Sequence, residues 1–192
     1  MKIPLIMPRA HHAACLFATI TVLFLASIAL PTHADDSNEY QIKTAFLYNL
    51  ARMTDWPEGE ISGQFTLCFI GKDTFGDALD SIKDKKVRDL PLVMRKDINI
   101  ANLTQCHMVF IESNALSHLP MILQQVRDKA IMTVGDSDGF VEHGGMVNLA
   151  LREGKVRLEI NPKMASCMNL KISARLLALA ERLEIAVPGV CE

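Results

Sequence analysis

The chain has 192 residues, with 20 lysines and arginines against 22 aspartates and glutamates, and a formal net charge of −2. No block of basic residues stands apart in it, which argues against nucleic acid as a partner. Its length beyond the first 34 residues suits one domain with a sizeable core, so neither a metal nor a dense disulfide framework is needed merely to fold it.

Residues 1–34 read as a secretory signal peptide. Lys2 and Arg9 form a basic start, Ala13 to Leu30 is apolar and uncharged, and Thr32-His33-Ala34 offers small residues for cleavage before Asp35. An uncleaved anchor is the competing reading, although the apolar run is near the lower limit for spanning. Cys15 stands at the start of that run instead of at its end, the wrong place for a lipid-bearing cysteine. Cleavage removes two basic residues, turning 20 against 22 into 18 against 22, a net charge of −4 on residues 35–192.

The first predicted element of the mature chain is a helix from Glu39 to Asp55. Asn38 and Gln41 have capping-box spacing, and Ile42, Phe46, Asn49/Leu50 and Met53 recur at helical intervals, marking the apolar face. Pro57 closes it, pushing Trp56 toward extended backbone. Trp56, the only tryptophan, is read as a packed anchor or as a ligand or partner contact. Phe65 to Ile70 is a strand ending at Gly71, and Asp73 caps a helix from Thr74 to Ile82. Lys83 to Lys86 is a solvated turn, and Leu90 to Met94 reads as an edge strand with Pro91 near its start.

His107 to Ile111 is a second clear strand. Ser117 starts a helix with Leu119, Ile122, Leu123 and Val126 on one face and Pro120 in its first turn, and Ala130 to Val134 is a third strand. This alternation predicts an α/β fold: one compact domain whose mainly parallel or mixed sheet is flanked by helices. After Gly144-Gly145 the pattern changes to an antiparallel C-terminal hairpin, with Met146 to Leu151 and Val156 to Ile160 around Arg152-Glu153-Gly154-Lys155. Asn161-Pro162 opens a short helix toward Met168. Ser173 caps a last helix that buries Leu176, Leu177, Ala180 and Leu183.

Behind a cleaved leader, four cysteines remain: Cys68, Cys106, Cys167 and Cys191. Paired cysteines are the default outside the cytoplasm, and four thiols allow three complete pairings. Cys68 lies in the first clear strand and Cys106 just before the second, so neighbouring strands would bring their Cα atoms into bonding range. Cys167 and Cys191 are a candidate second pair that would tie down the tail, with a free thiol or an intermolecular bond as alternatives. There is no CxxC.

The sequence holds no GxxxxGK[ST], GxGxxG or HExxH. Gly71 to Gly76 reads as a tight strand exit and helix cap before it reads as an anion site. His107, His118 and His143 are assigned structural or surface roles. Asp136, Asp138 and Glu142 read as an acidic surface loop. Arg175 sits just after a helix cap, where the dipole disfavours a cation, so it is expected to pair with Glu159 or Glu142, or to meet a ligand or partner. These readings give no catalytic, cofactor-binding or metal-binding residue.

Taken in order, Ile42 to Ala51 with Trp56-Pro57, Cys68 to Gly71 with Phe75-Gly76, Cys106-His107, Gly144 to Asn148, Val156 to Asn161 and Lys171 to Leu177 resemble the YfiR family. The resemblance runs from about Tyr40 to Leu179. It implies a compact periplasmic α/β regulator, able to dimerise, that represses an inner-membrane diguanylate cyclase through that enzyme's periplasmic part and so lowers cyclic di-GMP. An outer-membrane lipoprotein of the same system would sequester it. It also implies that Cys68 and Cys106 occupy the positions of a family disulfide. A further cysteine pair of the best-known member, in the region matching Glu142 to Leu149, is missing here. A small-ligand-binding protein and, behind it, a thiol enzyme are the alternatives.

Overall fold

The computed structural model describes residues 34–183 and 185. The expected leader, all but Ala34, and Cys191 lie outside the described residues. Helix α1 (Ala34–Arg52) begins and ends earlier than predicted. Thr54 and Asp55, expected as its last residues, are extended as β1 (Thr54–Asp55), held antiparallel against β9 (Lys171–Ile172). This pairing takes the backbone out of the helix before Trp56-Pro57 can end it.

The main sheet contains β2 (Phe65–Ile70), β3 (Lys86–Val87), β4 (Leu90–Arg95), β5 (Met108–Ile111), β6 (Met132–Gly135), β7 (Val147–Arg152), β8 (Lys155–Ile160) and β10 (Glu181–Arg182). Their order is β10-β8-β7-β6-β5-β2-β4-β3. The run β4-β2-β5-β6-β7 is parallel throughout, while β3 and β8 join antiparallel. The mixed α/β sheet flanked by helices is thus the predicted class. β2, β5 and β6 are buried along their whole length, as parallel strands covered on both faces must be.

One face carries the larger core cluster, where Leu47 and Leu50 of α1, Leu79 and Ile82, Met164 and Leu176 pack on Leu67, Phe110 and Val134. The other carries Leu103 and the α2 (Leu119–Val126) residues Leu119, Ile122 and Val126 against Val109 and Ile111. Phe140 closes the second cluster between two glycines. A Cβ on Gly135 would lie 2.4 Å from its ring and one on Gly145 2.1 Å away, so both positions exclude a side chain.

Local chemistry explains where the predicted elements changed. The helix expected over Thr74–Ile82 is a 3-10 helix over Gly76–Ile82, because Gly76 takes a φ of +49 that no continuous α-helix allows. Leu90–Arg95 is an edge strand only in part: β3 pairs outside Leu90 and Pro91 through a turn whose Arg88 and Asp89 both have positive φ. The Ser117 helix is split into a 3-10 helix over Ser113–His118 followed by α2. The C-terminal hairpin turns at Glu153 (φ 51) and Gly154 (φ 70), the left-handed pair a two-residue connection requires. Asn161 caps α3 (Pro162–Cys167) and Ser173 caps α4 (Ala174–Leu177), each through a side-chain oxygen. The last helix stops after one turn, because Glu181 and Arg182 pair with Glu159 and Ile160 and need extended backbone.

Candidate functional site

In a sheet of this order, the connections leaving β2 (to β4) and leaving β5 (to β6) run to opposite sides. The crevice outside their carboxyl ends is where such folds hold ligands. Gly71 follows β2, Glu112 follows β5 and Asp136 follows β6, so these residues meet at one edge. Gly71 has a φ of +119, and a Cβ there would lie 2.6 Å from Asn114 Oδ1 and 2.7 Å from Glu112 Cβ. Only glycine lets the chains approach so closely.

The crevice is filled by the protein's own groups. Lys72 N donates to Asn114 Oδ1 (2.9 Å), Thr74 N and Oγ1 donate to Glu112 (3.3 and 2.6 Å), and Phe75 N and Gly76 N donate to Asp73 Oδ1 (3.2 and 3.3 Å). The backbone donors that would otherwise receive an anion therefore already have partners, in keeping with the strand-exit reading of Gly71 to Gly76. Burial pushes the Glu112 carboxyl above its ordinary range; the Thr74 bonds oppose this, and the neighbouring Asp136 and Asp73 charges add to it.

Helix α1 crosses the same edge. Lys43, only 2% exposed, reaches Asp136 Oδ2 (2.8 Å) and Glu39 Oε1 (2.5 Å), and its ammonium stands 4.7 Å from the Tyr40 ring centroid. Burial alone would lower the Lys43 pKa, but the hydrogen bonds and charges of Asp136 and Glu39 outweigh it and hold the group above the usual lysine value. Asp136 is thus not part of the acidic surface loop expected from sequence; Asp138 and Glu142 are exposed. Nearby, Asn148 Nδ2 donates to Ser137 O (2.9 Å) and Glu159 Oε2 (2.8 Å).

Lys43 and Glu112 are the members of this cluster that sequence reading missed. Lys43, Leu47, Leu50 and Thr54 follow the same helical spacing as Ile42, Phe46, Asn49 and Met53. The signal in favour of the first set was the Leu47-Leu50-Ala51 group, and the lysine at its head concealed it.

Cys68 and Cys106 are bonded, with Cα atoms 5.9 Å apart and a sequence separation of 38. Both are buried. The bond joins β2 to the entrance of β5 and encloses the β3–β4 arm. His107 reinforces the junction: Thr66 N donates to its Nδ1 (2.9 Å), which leaves Nε2 to donate to Glu60 O (3.2 Å). Burial lowers the His107 pKa, against the opposing effect of Glu60 O, and so keeps Nδ1 free to accept. Cys167 ends α3 and is disulfide-bonded.

Trp56 is buried, edge-on to Phe65 at 5.1 Å, and Phe65 stacks on His107 at 5.2 Å. One side of Trp56 borders a cleft of about 600 Å³ with Glu58, Glu60 and Lys171 at its rim. Arg175 is exposed on α4 beside a groove shared with α1. It is not the partner of Glu159, whose carboxylate meets Asn148 and Arg152. A third cleft, about 490 Å³, lies between α2 and α3 over Leu123, Ile131, Met146, Met164 and Met168. Among the described residues there is no group of three or more histidine, cysteine or acidic side chains placed to hold a metal ion. No described helix is long and apolar enough to cross a membrane.

A protein-family model described as YfiR/HmsC-like matches residues 40–181. No curated protein matches the chain. Among solved structures, a conserved domain protein from Vibrio cholerae O1 biovar eltor is 10% identical with a TM-score of 0.50, over 74% of this chain and 59% of that one. An ABC domain from Streptococcus pneumoniae, solved in complex with L-Trp, is 9% identical with a TM-score of 0.51, over 75% of this chain and 60% of that one. The chain thus spans about three fifths of the length of these structures. At such identity the likeness is one of fold.

Proposed function

The chain belongs to the YfiR/HmsC-like family, and from that membership we propose that it is a periplasmic binding regulator that represses an inner-membrane diguanylate cyclase. The observation that carries this reading is the extent of the family match, which takes in most of α1, nearly all of the main sheet and α4. In this reading residues 1–34 are removed after Ala34 on export. The mature protein then binds the inactive conformation of the enzyme's periplasmic part and shifts its equilibrium without turning over a substrate itself. An outer-membrane lipoprotein competes for the regulator, which is able to form a homodimer.

The closed crevice supports a binding role over a small-ligand role at that edge, since Lys43, Glu112 and Asp73 occupy the groups a ligand would use. The Cys68–Cys106 bond supports a stapled scaffold over a thiol enzyme, because neither sulfur is a free thiolate.

Cyclic di-GMP in cells lacking the gene is the direct test. It should rise on deletion and fall on complementation, and the protein should co-purify with a membrane diguanylate cyclase. Unchanged cyclic di-GMP in both strains would sink the assignment. Replacing Cys68 and Cys106 by serine should cost about 4 kcal/mol by loop entropy and weaken repression in proportion to lost stability, as read by urea unfolding beside the cellular assay.

A further inference from the structure

The outward side of α1 has the composition of an interface. From Tyr40 to Ala51 the one charged residue is Lys43, and it is buried. Water therefore meets Gln41, Ile42, Ala45 and Asn49, with Phe46 half-buried among them. A surface helix ordinarily turns its charged residues to this side. Ile42 is 38% exposed, and Leu179, just past α4, is 70% exposed.

Between the two helices Phe46, Met53 and Leu179 line a groove of about 380 Å³, together with Arg52 and Arg175. No carboxylate lines it. Arg52 rests against the Tyr48 ring, 5.3 Å from its centroid, and Arg175 has no hydrogen bond or ion pair among the described residues. An apolar floor with two cations and no counter-charge is complementary to an apolar segment that carries carboxylates.

We propose that this face of α1 and α4 is the docking surface for the regulated membrane enzyme, and that it receives an acidic, apolar segment of that enzyme's periplasmic part. This rests on the function proposed above. A second copy of the chain fits less well, because an isologous contact through this patch would set the arginine pair of one protomer against that of the other.

The test measures binding of the mature protein to the full-length detergent-solubilised diguanylate cyclase of the same organism, with three exposed-site variants. Leu179→Glu and Arg175→Glu alter the groove. Met121→Glu alters a residue that is 56% exposed on α2, the helix whose Leu119, Ile122 and Val126 pack on the opposite face of the sheet. Thermal unfolding of all three should match wild type. Leu179→Glu and Arg175→Glu should each weaken binding at least about tenfold, Met121→Glu should leave it unchanged, and added salt should weaken wild-type binding. If wild type binds and the groove variants bind equally well, the surface is overturned and the function stands. If those variants keep cyclase affinity but lose self-association, the face belongs to a second copy and the proposal fails. If wild type binds no cyclase and cyclic di-GMP does not respond to the protein, both readings fall.

Discussion

The two sides of α1 each depart from the usual pattern, the inner side at Lys43 and the outer side at Ile42. Its inner side places a lysine and a threonine against the sheet, with Lys43 on Asp136 and Thr44 Oγ1 donating to Tyr40 O at 2.8 Å. Its outer side shows Ile42 to water. Burying an ammonium costs several kcal/mol unless partners offset it, so the inner side is tolerable only because Asp136 at the end of β6 and Glu39 one turn back on α1 meet it. Nothing inside the described structure similarly offsets the exposed apolar stripe. The inner side is thus explained by the fold alone, and the outer side by what the fold presents.

The largest expected effect tests the inner side. Lys43→Met leaves the Asp136 carboxylate, whose side chain is 5% exposed, without its cation, and should destabilise the protein by about 3–5 kcal/mol. The double variant Lys43→Met, Asp136→Leu should recover most of that loss, since both charges of the pair are then removed together. A double-mutant cycle by urea unfolding reads the coupling. If the single variant is as stable as wild type, the inner side is not held by this pair. No pH sensitivity near neutrality should come from Lys43: its raised pKa makes its contribution fully present below the ordinary value of 10.5, lost only as pH rises through the higher folded value.

A smaller, pH-dependent effect belongs to Glu112, at the same edge. Its folded pKa lies above the ordinary 4.5, so the stability it contributes is fully present below that value and is lost as pH rises through the folded one. Glu112→Gln does not titrate and keeps an acceptor for Thr74. Measured against wild type at about pH 4 and about pH 7, its relative stability should therefore rise with pH. An equal difference at both would remove Glu112 from the charged cluster.

The smallest stability effect is expected on the outer side. Ile42→Gln should change unfolding free energy by less than about 0.5 kcal/mol while measurably weakening cyclase binding. A loss of stability like that of Lys43→Met would show that Ile42 is core after all and erase the contrast between the two sides.

Much of the fold was legible because local rules and tertiary demands agreed. Phe65 to Ile70 and His107 to Ile111 are short, β-prone runs bounded by turn residues, and the structure makes strands within both. Asn161-Pro162 and Ser173 marked helix starts because a side-chain oxygen must satisfy an early N–H there, and it does so at Met164 N and Leu176 N. The end of the last helix was not legible. Leu176 to Leu183 has helical periodicity, and only the open edge of β8 draws Glu181 and Arg182 into a strand.

The sequence by itself determined the class of the molecule: alternating strands and helices, the hairpin at Glu153-Gly154, and a family resemblance spread over most of its length. These follow from periodicity, capping and turn chemistry, which act between residues a few positions apart. Tertiary structure decided which side of α1 faces inward. Residues 43 and 136 are 93 positions apart, and no local pattern could show that a carboxylate at the end of β6 would receive that lysine and leave Ile42 outside.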